Sequence, residues 1–293
     1  MNNCCYFQIA GITIRVDSAL PFAEDTFQPN LRLFQVTNPG KDTISIQHHF
    51  FLPKLDYQNL GQGIHHGERY IVHKKGDSWI HLVFEPEEPS KLIQVAIFNH
   101  DYTKTTIYNS SEESFRRGNL STLTFLIKDE ILLAHVLADR QGCYFHASGV
   151  RIENKGFLFL GKSGAGKSTI ARMLKQSAEI LCDERLVVRK VGERFKMYGA
   201  WTNQVRKYMS VKSAPLNAIM FLEQAQDNQL IPLKDRKEIM YKLLPRLIRP
   251  FRTAYWWNKT FSFLENLIQG VPCYVLKFDK SGEVVNLLKQ QLI

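Results

Sequence analysis

Short apolar runs separated by turn residues fill the first 125 or so positions of the chain. Tyr6–Val16 holds two such runs around Gly11. Tyr70–Val72 and Trp79–Phe84 flank Lys75-Gly76-Asp77, and Leu92–Phe98 and Thr105–Tyr108 flank Asn99-His100-Asp101. Both spacings predict hairpins. Strands joined by tight turns predict an antiparallel sheet.

The pattern changes near Leu126. Asp129–Arg140 has apolar residues at helical spacing, with Gly142 as its expected terminator. Strands are expected at Cys143–Ile152 and, after an Asn154-Lys155-Gly156 turn, at Phe157–Leu160. A helix over Lys167–Gln176 and a strand over Ile180–Arg189 follow. Farther on, Ala218–Glu223 and Pro272–Phe278 read as strands, and Arg236–Leu247, Trp257–Ile268 and Glu283–Leu292 as helices. Alternating strands and helices of this kind are α/β architecture. The expected organisation is therefore a β-rich N-terminal domain over 1–126 and an α/β domain over 127–293.

Composition narrows this only a little. A chain that is 44% hydrophobic and 23% charged has the material for a core. No apolar stretch is long enough to span a bilayer, and the first ten residues lack a signal-peptide layout; a cytoplasmic protein is expected, with no membrane contact. Five scattered cysteines without a CxxC pair fit a reduced compartment. Cys4–Cys5 reads as an incidental pair at a strand start rather than an acylation site. The net charge of +10 favours polyanionic partners, and much of the excess lies in Arg185–Lys212 and Lys234–Arg252.

Candidate chemistry centres on Gly161-Lys162-Ser163-Gly164-Ala165-Gly166-Lys167-Ser168, which satisfies the Walker A pattern between an apolar strand and a helix that continues through Thr169. Three glycines let successive N–H groups turn inward around phosphates. The helix adds its N-terminal dipole at the same place. Lys167 is spaced to reach the β- and γ-phosphates, and Ser168 to ligate Mg²⁺. ATP with Mg²⁺ is the expected nucleotide and cofactor.

Phosphoryl transfer also needs a carboxylate. Asp183-Glu184 ends the apolar run Ile180-Leu181-Cys182, after room for only one short helix and a direct return strand. Of two adjacent acids, one can hold the metal while the other takes a proton from an attacking hydroxyl. His146 ends the strand that precedes the glycine-loop strand, which sets it towards the γ-phosphate with a pKa near neutrality; a core histidine bonded to a backbone carbonyl is the alternative.

The stretch from His146-Ala-Ser-Gly-Val150 through the loop to Leu181-Cys-Asp-Glu-Arg185 resembles the catalytic core of HPr kinase/phosphorylase, a group related to the phosphoenolpyruvate carboxykinases. The resemblance is close over 129–190. It implies a P-loop C-terminal domain of that α/β type and a catalytic acid/base at Asp183. It further implies a metal-assisting role for Glu184 and an active-site histidine at His146. Gly199-Ala-Trp201 and Ser213–Glu223 are similar to HPr-kinase-like proteins, some of which phosphorylate a serine in a ribosomally made precursor peptide. That family assembles into homo-oligomers. Its glycine- and arginine-rich C-terminal signature is not found here, which counts against HPr as acceptor and against phosphorolysis.

Weaker signals complete the reading. Arg206, beside Lys207 and Tyr208, is a candidate to stabilise charge on the transferring phosphoryl group. His48-His49 and His65-His66 lack zinc-ligand spacing and are expected in solvated loops. The basic residues of Lys237–Trp257 read as the charged face of an amphipathic helix rather than a nucleic-acid surface. The function expected is a Mg²⁺/ATP-dependent kinase acting on a serine of a protein or peptide, with the N-terminal domain recognising that acceptor. A small-molecule kinase or carboxykinase-like enzyme, and a non-catalytic nucleotide-controlled binding module, are the alternatives.

Overall fold

Turn chemistry sets the first half of the chain. A computed structural model describes residues 3–202, 208–250 and 253–292. The strands β1 (Cys4–Ile9) and β2 (Ile12–Ser18) close on Ala10-Gly11, both with positive φ, the backbone that matches a two-residue hairpin to strand twist. A single turn α1 (Pro29–Arg32), then β3 (Gln35–Val36), β4 (Thr43–His49) and β5 (Gln62–His66) follow. The expected hairpins are β6 (Tyr70–Lys75) with β7 (Ser78–Phe84), turning at Gly76 with φ 54°, and β8 (Leu92–Phe98) with β9 (Lys104–Asn109). Two helices, α2 (Glu113–Arg117) and α3 (Asp129–Ala138), come next.

Among the described residues these nine strands form one sheet in the order β3-β1-β2-β4-β9-β8-β7-β6-β5. It is not wholly antiparallel as expected. β2 runs parallel to β4, and β4 parallel to β9; loops too long to be read as turns bring these strands together. His48 corrects another expectation, because it lies in β4 with no exposure rather than in a solvated loop. Its Nε2 meets the Leu123 carbonyl at 2.9 Å and its ring stacks on Phe125. His65 and His66 are exposed, but on strand β5.

The chain divides into two compact units, Met1–Val136 and Leu137–Ile293, so the division falls inside α3, ten residues beyond 126. The second unit starts with β10 (Gly142–His146), so Gly142 opens a strand and Gln141, with φ 49°, makes the turn after α3. Then come β11 (Ser148–Ile152), β12 (Lys155–Leu160), α4 (Lys167–Leu174), β13 (Glu179–Cys182), β14 (Arg185–Val191), β15 (Arg194–Gly199) and the long β16 (Ser213–Gln224). The chain continues through β17 (Gln229–Leu233), α5 (Arg236–Leu243), α6 (Ala254–Gly270), β18 (Cys273–Phe278) and α7 (Val284–Leu292). The strand order is β10-β14-β15-β16-β12-β11-β13, with β18 on β16 and β17 on β18. The architecture is mixed α/β.

Alternation along β12 shows how the layers form. Phe157 and Phe159 pack with Ile170 and Leu174 of α4 and Val284 and Leu288 of α7. Leu158 and Leu160 point the other way, into a core with Phe145, Leu186, Ile239 and Leu264. Successive side chains on a strand face opposite sides, so a fully apolar strand needs both faces covered. Phe157–Leu160 is completely buried for that reason.

Two expected strands prove to be one bent ribbon. Gly142–His146 pairs antiparallel with Arg185–Arg189, and Gly149–Arg151 with Glu179–Cys182. The register is continuous between them, which sets Ala147 opposite Glu184 and Ser148 opposite Asp183. Ladder pairing lapses at this point and the ribbon passes from one part of the sheet to the other.

Candidate functional site

Strand direction gathers the chemistry at one end of the sheet. β12 and β13 both run antiparallel to β11, so they share a direction; β16 is parallel to β12, and β18 to β16. Their carboxyl ends are Leu160, Cys182, Gln224 and Phe278. β11 begins at that end, and its register (Ser148 opposite Phe159) carries the residues before Ser148 alongside those after Phe159. Open α/β sheets bind ligands outside the carboxyl ends of their strands. The glycine loop, Asp183-Glu184 and His146 therefore come together here by topology.

The loop is held from three sides. Gly164 and Gly166 have φ of 79° and 97°, closed to most side chains. A Cβ on Gly166 would stand 2.6 Å from the Phe278 ring. Gln224 donates from Nε2 to the Gly164 carbonyl at 2.7 Å. Lys162, Ser163, Gly164 and Ser168 are exposed, whereas Ala165 and Lys167 are buried. Lys167 Nζ donates to the carbonyls of Gly161 at 2.9 Å and Lys162 at 3.3 Å. Its pKa is depressed, first by burial and then by the nearby cation Arg246. No side chain caps α4, so the N–H groups of its first turn, Lys167 to Thr169, remain available to an anion.

Asp183 and Glu184 are 9% and 8% exposed, and the bend in the ribbon fixes their backbone. Ser148 Oγ donates to the Asp183 carbonyl at 3.0 Å, and the Ala147 N–H to the Glu184 carbonyl at 2.9 Å. Beyond them, the Ser210 N–H donates to the Leu181 carbonyl at 2.9 Å. His146 is exposed, on the same bend. Arg206 lies outside the described residues.

Sequence reading missed three residues here: Ser148, Gln224 and Arg246. Lys237–Trp257 is not one amphipathic helix. α5 stops at Leu243, Leu244–Arg246 make a single 3₁₀ turn with Pro245, and α6 starts only at Ala254. Pro245 and Pro250 were the available signal, since proline removes a helix hydrogen bond and biases its predecessor to extended backbone.

Among the described residues no group of three or more His, Cys, Asp or Glu side chains stands close enough to hold a metal ion unaided. Hydroxyl and carboxylate oxygens such as those of Ser168, Asp183 and Glu184 are the donor type taken by a hard cation that keeps water and phosphate oxygens among its ligands, as Mg²⁺ does.

The fold and site define a mixed α/β protein whose sheet gathers a glycine loop, a buried lysine and a carboxylate pair at one end. The family model for the SynChlorMet cassette protein ScmC matches residues 121–293, and the chain belongs to that family. Among solved structures, the Hpr(Ser) kinase/phosphatase from Coxiella burnetii is similar over 50% of this chain and 86% of its own, at 9% identity and a TM-score of 0.30. No curated protein matches the chain. No helix among the described residues is long and apolar enough to cross a membrane.

Proposed function

We propose that this chain is an ATP- and Mg²⁺-dependent phosphotransferase that moves the γ-phosphoryl group to a serine hydroxyl of a protein or peptide. The observation that carries this reading is the convergence of Lys167 and the uncapped start of α4 with Asp183, Glu184 and His146 at one sheet end. In the reading, the glycine loop acts as a P-loop. The N–H groups of Gly164 and of Gly166 to Thr169 and the Lys167 ammonium hold the triphosphate, and burial of Lys167 strengthens its part. Ser168 and Glu184 would hold Mg²⁺, which when bound neutralises charge on the β- and γ-phosphate oxygens. Asp183 takes the proton of the serine hydroxyl as its oxygen forms the new bond to phosphorus, while the bond from phosphorus to the bridging oxygen breaks and ADP leaves. His146 hydrogen-bonds the transferring group.

Transfer from γ-³²P-ATP with Mg²⁺ tests this, using cell extract and a pool of small hydroxylated metabolites as separate acceptors. The expected result is a labelled polypeptide that Lys167→Ala abolishes. Asp183→Asn should retain ATP binding and lose about 10²-fold or more in transfer. Normal transfer by the Asn variant removes Asp183 as the base. Label confined to a small molecule overturns the peptide acceptor, and ATP binding with no label anywhere overturns the enzyme.

A further inference from the structure

The segment after α5 is fastened to the free edge of β10. Leu247 forms an antiparallel bridge with Phe145, and the Ile248 N–H donates to the Tyr144 carbonyl at 2.8 Å. Leu247 and Phe145 are both buried in one core cluster, so apolar packing as well as hydrogen bonding holds the register. Moving one residue each way in an antiparallel pair sets Arg246 opposite His146. The arginine thereby reaches the end of the sheet that carries the glycine loop.

Its surroundings are unusual for a half-buried cation. Lys242, on the preceding helix, has Glu223 and Glu238 within 3.6 Å, and Lys259 has Asp139 at the same distance. Arg246 has no carboxylate partner among the described residues. Its positive charge is felt at Lys167, whose pKa it lowers after the larger effect of burial. Two cations brought together away from bulk water repel, and the fold keeps both. An anion between them turns that repulsion into attraction, and a guanidinium's planar fork suits the oxygens of a phosphate.

We propose that Arg246 is a binding residue for the terminal phosphate of the nucleotide, acting from the side of the glycine loop that faces His146. This rests on the nucleotide site proposed above and supplies a cation that the loop itself does not contain. Lys167 and the helix amides hold the inner phosphates; Arg246 engages the oxygens of the group to be transferred.

Calorimetric titration with ADP, ATP and inorganic tripolyphosphate, on the full chain, tests it apart from catalysis. Arg246→Ala should bind ADP as the parent does and lose about 10- to 100-fold for ATP and tripolyphosphate. Arg246→Lys should recover part of the loss, because it restores charge but not the fork. Arg249→Ala, at an exposed arginine of the same segment, should change nothing, and unchanged melting of each variant excludes misfolding. Equal affinities for ATP and tripolyphosphate in Arg246→Ala and the parent overturn the assignment. So does a uniform loss for ADP and ATP alike, or a parent that binds none of the three. A parent that shows the ATP-specific effect but transfers no phosphate upholds Arg246 and defeats the kinase reading alone.

Discussion

Ser148 shows how much of this site depends on single buried contacts. Its hydroxyl is fully buried and donates to the Asp183 carbonyl; removing it leaves that acceptor short of a partner where the ribbon bends. Ser148→Ala should cost about 1 kcal/mol of stability and lower kcat with little change in the KM for ATP, because it shifts the base and not the loop. Thermal unfolding and steady-state kinetics check the two parts separately. An unaltered kcat would reduce Ser148 to a packing role. The glycine loop was legible at this scale because its requirements are local: positive φ, adjacent N–H groups and one lysine lie within eight residues. Arg246 was not, because nothing near it in sequence shows what it approaches. Sequence reading chose Arg206 instead, and that residue lies outside the described positions.

At the scale of elements, periodicity found the strands of the bent ribbon but not the bend. Apolar residues run through Cys143–Ile152 and Ile180–Arg189 on both sides of it, since both halves are covered by core. The bend arises because one ribbon serves two parts of the sheet, a choice of partners and not of local propensity. A related constraint falls on Gly199, where β15 ends as residues 208–210 pass along β13. A Cβ there would stand 2.1 Å from the Ser210 carbonyl oxygen and 2.7 Å from that of Leu181. Both are backbone atoms and neither can rotate away. Gly199→Ala should destabilise the second unit by about 1–3 kcal/mol, read as a lower urea midpoint. Gly192→Ala, in open space with φ 59°, should cost only backbone strain of about 1 kcal/mol. Equal midpoints for the two would contradict the close approach at Gly199.

Across the whole molecule the ionisable groups are unevenly shared. Of nine histidines, only His146 lies in the second unit. In the first, His48 and His135 are buried and held down to about 3 by loss of hydration, and His81 is likewise depressed by burial and by His135. Tyr102 stacks on His135 and its hydroxyl meets His81 at 3.4 Å. These rings stay neutral in the folded unit, while in the unfolded chain they take up protons below about 6.5. The unfolded state then binds more protons, so stability present above pH 6.5 is lost as pH falls towards 3. The slope is about 1.4 kcal/mol per pH unit for each such group. Limited proteolysis at pH 7.5 and pH 4.5 should show acid-induced cleavage within the first unit while the second resists. Equal susceptibility of both units would refute this account.

The sequence by itself determined the local elements: hairpins from their turn residues, the glycine loop from its backbone demands, and the apolar strands that make an α/β core. Each of these depends on residues within one or two turns of chain. Tertiary structure alone decided which strands run parallel, that His48 is core, that one ribbon bends between Ala147 and Glu184, and that Arg246 is set opposite His146. Those outcomes follow from burying apolar faces contributed by distant segments, and the free energy of that burial is not written in any one stretch of the chain.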